Sequence, residues 1–107
     1  MPTIDFGEIN DVVHGPVRLA TLAFLSTAGS VELQELRRRL RVTDGNLALH
    51  VRKLENAGYI VTEKRGAGRA SVTRVTLSDA GRDAFVRYLE TMARLVEESR
   101  AMMDRNA

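Results

Sequence analysis

The stretch VTDGNLALHVRKLENAGYI, residues 42–60, holds the densest set of side chains that could do chemistry. Leu47, Val51 and Leu54 recur at helical spacing and form an apolar stripe suited to a core. About half a turn away lie Gly45, Leu49, Arg52 and Asn56, an outer face that is part small, part apolar and part basic. A helix buried all round does not need Gly45 near its start, and a merely solvated one does not need Leu49 outside. Arg52 and Lys53 offer only donors, whereas Asn46 both donates and accepts. The chemistry on offer is recognition of an anionic, hydrogen-bonding surface.

Catalytic and metal chemistry find little support. The chain has no cysteine, which excludes disulfides, thiolate metal sites and cysteine nucleophiles. Its two histidines, His14 and His50, are well separated and make no convincing soft-metal site. His50 lies at the edge of the apolar stripe and is read as a packing or phosphate-bonding residue. No nucleophile stands beside a base at a suggestive spacing, so no catalytic residue, metal or cofactor is expected. The segment RGAGRA, residues 65–70, resembles a phosphate-binding glycine loop only superficially. Such loops join a strand to a helix, whereas this one separates two stretches rich in β-branched residues. It is expected to be a hairpin turn that projects Arg65 and Arg69.

The charge distribution agrees. The 107 residues carry a net charge of only +2, yet residues 31–75 hold ten basic and five acidic side chains. Positive charge gathered mid-chain points to a polyanion. With 44% hydrophobic and 28% charged residues, the composition is that of one globular domain, residues 1–107. The opening MPTIDFGEINDV carries acids and no apolar run, and no apolar stretch approaches a membrane span. A cytoplasmic protein is expected.

The elements that must position these residues can be read in order. A short helix is expected around 5–12, and a second from Pro16 to about 28, apolar nearly all round and stopped by Gly29. Leu33, Leu36 and Leu40 give a third helix a buried stripe beneath an outer face of Arg37, Arg38 and Arg39. Arg41 and Val42 make a tight connection. Thr43 is expected to cap the fourth helix, with Asp44 in its first turn, and Gly58 to end it. YIVTEKR and ASVTRVTL read as two strands of a hairpin over 59–77. Ser78 caps a long last helix that reaches about residue 103.

Two short helices with a tight turn between them, followed by a basic-tipped hairpin, form a winged helix-turn-helix. The stretch LQELRRRLRVTDGNLALHVRKLENAGYIVTEKRGAGRASVTRVTLSDAGRDAF, residues 33–85, resembles small winged-helix transcriptional regulators of the MarR and ArsR groups. Its most specific parts are L..HV.KLE.AGYI and TLSDAG. Arg41 departs from the pattern, since relatives often have glycine in that turn. The resemblance implies a mainly α fold with a small β-hairpin (α+β) and a helix-turn-helix over 31–57. It implies that Thr43, Asp44, Gly45, Asn46, Ala48, Leu49, His50, Arg52 and Lys53 face the major groove of double-stranded DNA. Gly45 would allow close approach, Asn46 would meet a base edge, Arg52 would reach guanine or phosphate, and Leu49 would meet a thymine methyl. Arg65 and Arg69 would contact backbone or minor groove from the wing.

The last helix carries Phe85, Tyr88, Leu89, Met92, Leu95, Val96 and Met102, more apolar surface than a small core needs. Together with Ile9, Val12 and Val13 it is expected to build a homodimer, and a dimer implies a palindromic operator. The expected function is transcriptional regulation, as a repressor. The rival is a winged-helix module for protein–protein assembly, which would need no basic recognition face. For a small-molecule effector between the dimer helices, no residue pattern speaks either way.

Overall fold

The computed structural model describes residues 6–106. Four helices surround a three-stranded antiparallel sheet, so the architecture is mainly helical, with α1 Pro16–Ala28, α2 Leu33–Leu40, α3 Asp44–Asn56 and α4 Asp79–Arg105. The strands are β1 Ser30–Glu32, β2 Ile60–Arg65 and β3 Val72–Leu77, in spatial order β1-β3-β2. Pro16 opens α1 because its fixed φ and missing N–H suit a first turn. Gly29 closes it at φ 77, donating its N–H to the Leu25 carbonyl.

Two expectations need correction. β1 has no counterpart in the sequence reading, which leads straight from Ser30 into α2. Val31 pairs with Val75 and is buried, so three residues add a third strand to the hairpin. The helix expected over 5–12 starts at Asp5, outside the described residues. Within them, only a single 3₁₀ turn forms at Phe6–Glu8. Asn10 Oδ1 accepts from the N–H groups of both Val12 and Val13, offering the backbone a turn in place of helix.

The core joins Leu22 and Leu25 of α1, Leu36 of α2, Leu47 and Leu54 of α3, and Val75 of β3. Burial of each leucine contributes roughly 1.5–3 kcal/mol. The start of α4 is locked to the corner between α3 and β2. Ser78 accepts from the Gly81 N–H at 2.9 Å and donates to the Gly58 carbonyl at 2.6 Å. A β-carbon at Gly81 would overlap the Tyr59 carbonyl, so this position requires glycine. The two most specific sequence motifs, AGYI and TLSDAG, are therefore halves of one contact.

Past Met92 the last helix leaves the core behind: Met92 packs partly against it, and Leu95 is not part of it. The radius of gyration is 16.8 Å, against about 13 Å for a compact chain of this length. The long dimension is 61 Å, of which α4's 27 residues span about 40 Å.

Candidate nucleic-acid interface

The turn between α2 and α3 depends on Arg41, which adopts the left-handed conformation at φ 55, ψ 46. A side chain there carries a β-carbon penalty of roughly 1–2 kcal/mol that a glycine would avoid. The departure noted in the sequence leaves the turn intact. Thr43 then caps α3, its hydroxyl oxygen accepting from the Asn46 N–H at 3.1 Å.

α3 buries Leu47, Val51 and Leu54, and exposes Gly45, Asn46, Ala48, Leu49, Arg52, Lys53 and Asn56 on the other side. Leu49, at 48% exposure, is the helix's one large apolar residue turned outward. Apart from its chain neighbours and the backbone of its own helix, no atom of the described residues lies within 4 Å of where a Gly45 β-carbon would stand. Nothing within the chain requires glycine there. The structure thus brings most of the expected face together on one rigid element.

Asp44 is an exception. Its carboxylate meets Arg37 at 3.1 Å and accepts weakly from Gln34 at 3.5 Å, so it ties α2 to α3 and offers DNA no donor. His50 is another. It is half-buried, and its Nδ1 lies 2.9 Å from Nη1 of Arg18, a residue of α1. Burial, then the charges of Arg18 and Lys53, hold the imidazole below its ordinary pKa. Sequence reasoning missed Arg18. The available signal was an arginine in the first turn of a helix otherwise apolar nearly all round.

The basic residues divide sharply. On α2, Arg38 and Arg39 both bind Glu35, at 2.7 and 2.9 Å. Their hydrogen bonds lower the Glu35 pKa, Arg39 contributing more than Arg38. Among the described residues, Arg52, Lys53, Lys64 and Arg69 make no side-chain hydrogen bond or salt bridge. In the wing, Gly66 takes φ 84 and a short 3₁₀ turn, Gly68–Ala70, completes the tip. Arg69 stands free on that tip, whereas Arg65 leans on Glu63 at 3.4 Å. The tip is longer than the three-residue GAG turn expected.

Three residues expected at a dimer contact are buried within the single chain. Val13, Phe85 and Tyr88 are buried in the chain's own core, because α4 turns that stripe onto α1. Ile9, Val12 and Met92 pack partly against the same core. Leu89 and Val96 lie outside, with Leu95 and Met102 half-buried between. No group of three or more metal-binding side chains occurs among the described residues, and no helix is long and apolar enough to cross a membrane.

Comparison with known proteins agrees with this geometry. A family model described as a winged helix DNA-binding domain matches residues 17–96. An uncharacterised protein of Methanocaldococcus jannaschii is 32% identical over 84 residues, which are 78% of this chain and 91% of that one. The solved transcriptional regulator homologue of Pyrococcus horikoshii OT3 superposes with a TM-score of 0.76 at 30% identity, covering 81% of this chain and 86% of that one. A MarR-family protein of Enterococcus faecalis V583 shares the fold, with a TM-score of 0.65, 22% identity and coverage of 88% and 84%. The helix-turn-helix with its capped, two-faced α3, the glycine-turned wing and a family match over most of the sequence converge: this chain belongs to the winged helix DNA-binding domain family, with the fold of MarR- and ArsR-type transcriptional regulators.

Proposed function

We propose that the chain is a homodimeric, sequence-specific DNA-binding regulator. It lays α3 in the major groove and sets the wing tip against backbone or minor groove. The observation that carries this reading is the outer face of α3: an unneeded glycine, an exposed leucine and two cations outside any ion pair among the described residues, opposite a fully used core stripe. Gly45 lets the groove wall approach, Asn46 and Arg52 address base edges, and Leu49 suits a thymine methyl. Arg69 and Lys64 supply phosphate contacts from the wing. A bound dimer excludes other proteins from its site, so repression is the simplest output.

The second copy is supported by α4. Val86, Leu89, Val96 and Met103, spaced at three or seven, remain 46%, 49%, 48% and 71% exposed, with Ala93 in the same file. This is a heptad seam without a partner, on a helix that outruns its own core. Two modules joined along it would place their recognition helices on successive turns of one duplex face, about 34 Å apart, and the operator would be palindromic.

Selection of bound sequences from random duplex DNA tests the proposal, combined with sedimentation of the wild type and of Leu89→Glu/Val96→Glu. The expected result is a palindrome, a wild-type dimer, and a monomeric variant with a large loss of operator affinity. A chain that retains no DNA at moderate salt would favour the protein-assembly reading. A tight monomer on a single half-site would remove the dimer.

A further inference from the structure

Arg18 belongs neither to the outer face of α3 nor to the wing, yet it holds a residue of the recognition helix. A guanidinium has only donors. With Arg18 Nη1 at 2.9 Å from His50 Nδ1, that nitrogen must be the acceptor and carry no proton. The single proton of the neutral ring then sits on Nε2. That atom has no partner among the described residues, and no unpaired side-chain nitrogen or oxygen among them is buried. It is an accessible, unused donor.

Arg18 is itself held in place. Its Nε donates to the Val12 carbonyl and its Nη2 to the Asp11 carbonyl at 3.2 Å. Its guanidinium lies against buried Gly15, where a β-carbon would stand only 2.5 Å from Nη2. The charged groups around the imidazole are Arg18 from α1 and Lys53 from α3, with Asp11 exposed on the N-terminal segment. The two cations disfavour a second proton on the ring. Asn46, His50 and Lys53 are spaced four and three apart, so they form one file down α3.

Resting on the groove reading above, we propose that Arg18 is a positioning residue for DNA recognition: it fixes His50 as a neutral side chain whose Nε2–H is the donor offered to an acceptor on the duplex. A ring with the opposite tautomer would present a bare Nε2 and favour donors such as the amino groups of adenine or cytosine. The guanidinium on the far side of the ring therefore decides which kind of edge His50 can bind. An acceptor on a base makes the contact sequence-selective, and a phosphate oxygen makes it general.

Nitrogen-15 NMR of the His50 ring in the full chain reads the tautomer directly. The expected wild-type spectrum has its proton on Nε2, and Arg18→Met moves the ring toward a tautomer mixture with a pKa closer to the ordinary value. With the selected operator and a random duplex as probes, His50→Ala and Arg18→Met should each weaken operator binding about tenfold, the worth of one hydrogen bond. His50→Gln, whose amide N–H reaches the same position, should retain most of the affinity. Loss on the operator alone identifies a base acceptor, and equal loss on both duplexes a phosphate. A proton on Nδ1 in the wild type overturns the proposal, as does wild-type operator affinity in His50→Ala. These two readouts decide the matter even where Arg18→Met fails to fold. A wild type that selects no sequence defeats the groove reading and this proposal with it. Selective wild-type binding unaffected by His50→Ala defeats this proposal alone.

Discussion

α2 and α3 both turn basic residues outward, but among the described residues only those of α3 stand outside any ion pair. On α2, Arg38 and Arg39 are drawn to Glu35, which precedes them by three and four positions, and Arg37 is drawn to Asp44. Arg39 also sits over the Phe24 ring at 5.8 Å. On α3 the nearest acid to Arg52 is Glu55, three positions on, yet Glu55 accepts from the Thr62 hydroxyl at 2.6 Å instead. Arg52 and Lys53 are left without an ion-pair contact among the described residues. The run of arginines that dominates the sequence is thus the more engaged of the two sets, and the modest pair beyond it is the one the proposed function sets against DNA. Charge counted along a chain overstates charge presented by a surface.

Substitutions can break or sharpen this contrast. The largest effect is expected at Arg52. Its replacement by alanine should weaken operator binding by roughly 1–3 kcal/mol, with a much smaller loss on random duplex. Fluorescence anisotropy on both duplexes measures this, and equal losses would make Arg52 a phosphate contact. Next comes Arg69→Ala, which should lower affinity on every sequence and reduce the salt slope by about 1. Arg65→Ala should do less, because Glu63 already holds it.

Gly45→Ala separates folding from binding. With open space around its β-carbon and helical backbone, alanine should raise stability by about 0.5–1 kcal/mol. Operator binding should weaken at the same time, because a methyl group then stands where the groove wall approaches. A melt that rises without loss of binding would remove close approach from the mechanism. The smallest effect is expected from Arg38→Ala, since exposed ion pairs contribute little. The sign of its pH effect is still clear. The Arg39 and Arg38 hydrogen bonds depress the Glu35 pKa below 4.5, so their contribution is whole above that value and is lost as pH falls below it. Without Arg38 the Glu35 titration should move back up toward 4.5, which carboxyl-carbon NMR would follow.

The two-faced character of α3 was legible because both faces lie within one helix, and a period of 3.6 separates Leu47, Val51 and Leu54 from Gly45, Leu49 and Arg52 without tertiary information. The caps at Thr43 and Ser78 were legible for the same local reason. β1 was not: three residues carry no periodicity, and its partner, β3, comes some forty positions later. The N-terminal segment misled because Ile9, Val12 and Val13 imitate a helical face, whereas Asn10 folds the backbone into a turn. On α4, helical spacing could not distinguish the stripe that meets α1 from the stripe beside it. Phe85 and Tyr88 went inward, leaving Val86, Leu89 and Val96 outside. Arg18 and His50 are thirty-two positions apart, a pairing that only the packing of α1 on α3 creates.

The strand order gives the molecule a mechanical property. β3 is the middle strand, so the wing's inner edge is laced to β1, and β1 runs directly into α2. A hairpin tied only to its neighbour could flap independently of the helices, but this one shares its ladder with the segment that carries them. Wing, α2 and α3 should therefore behave as a single cooperative block: amides of β1 and β3 should exchange with deuterium in step. In the proposed dimer, a force transmitted along the projecting end of α4 would then tilt or re-space whole blocks, and the shape of each would stay constant while their reach along a duplex changed.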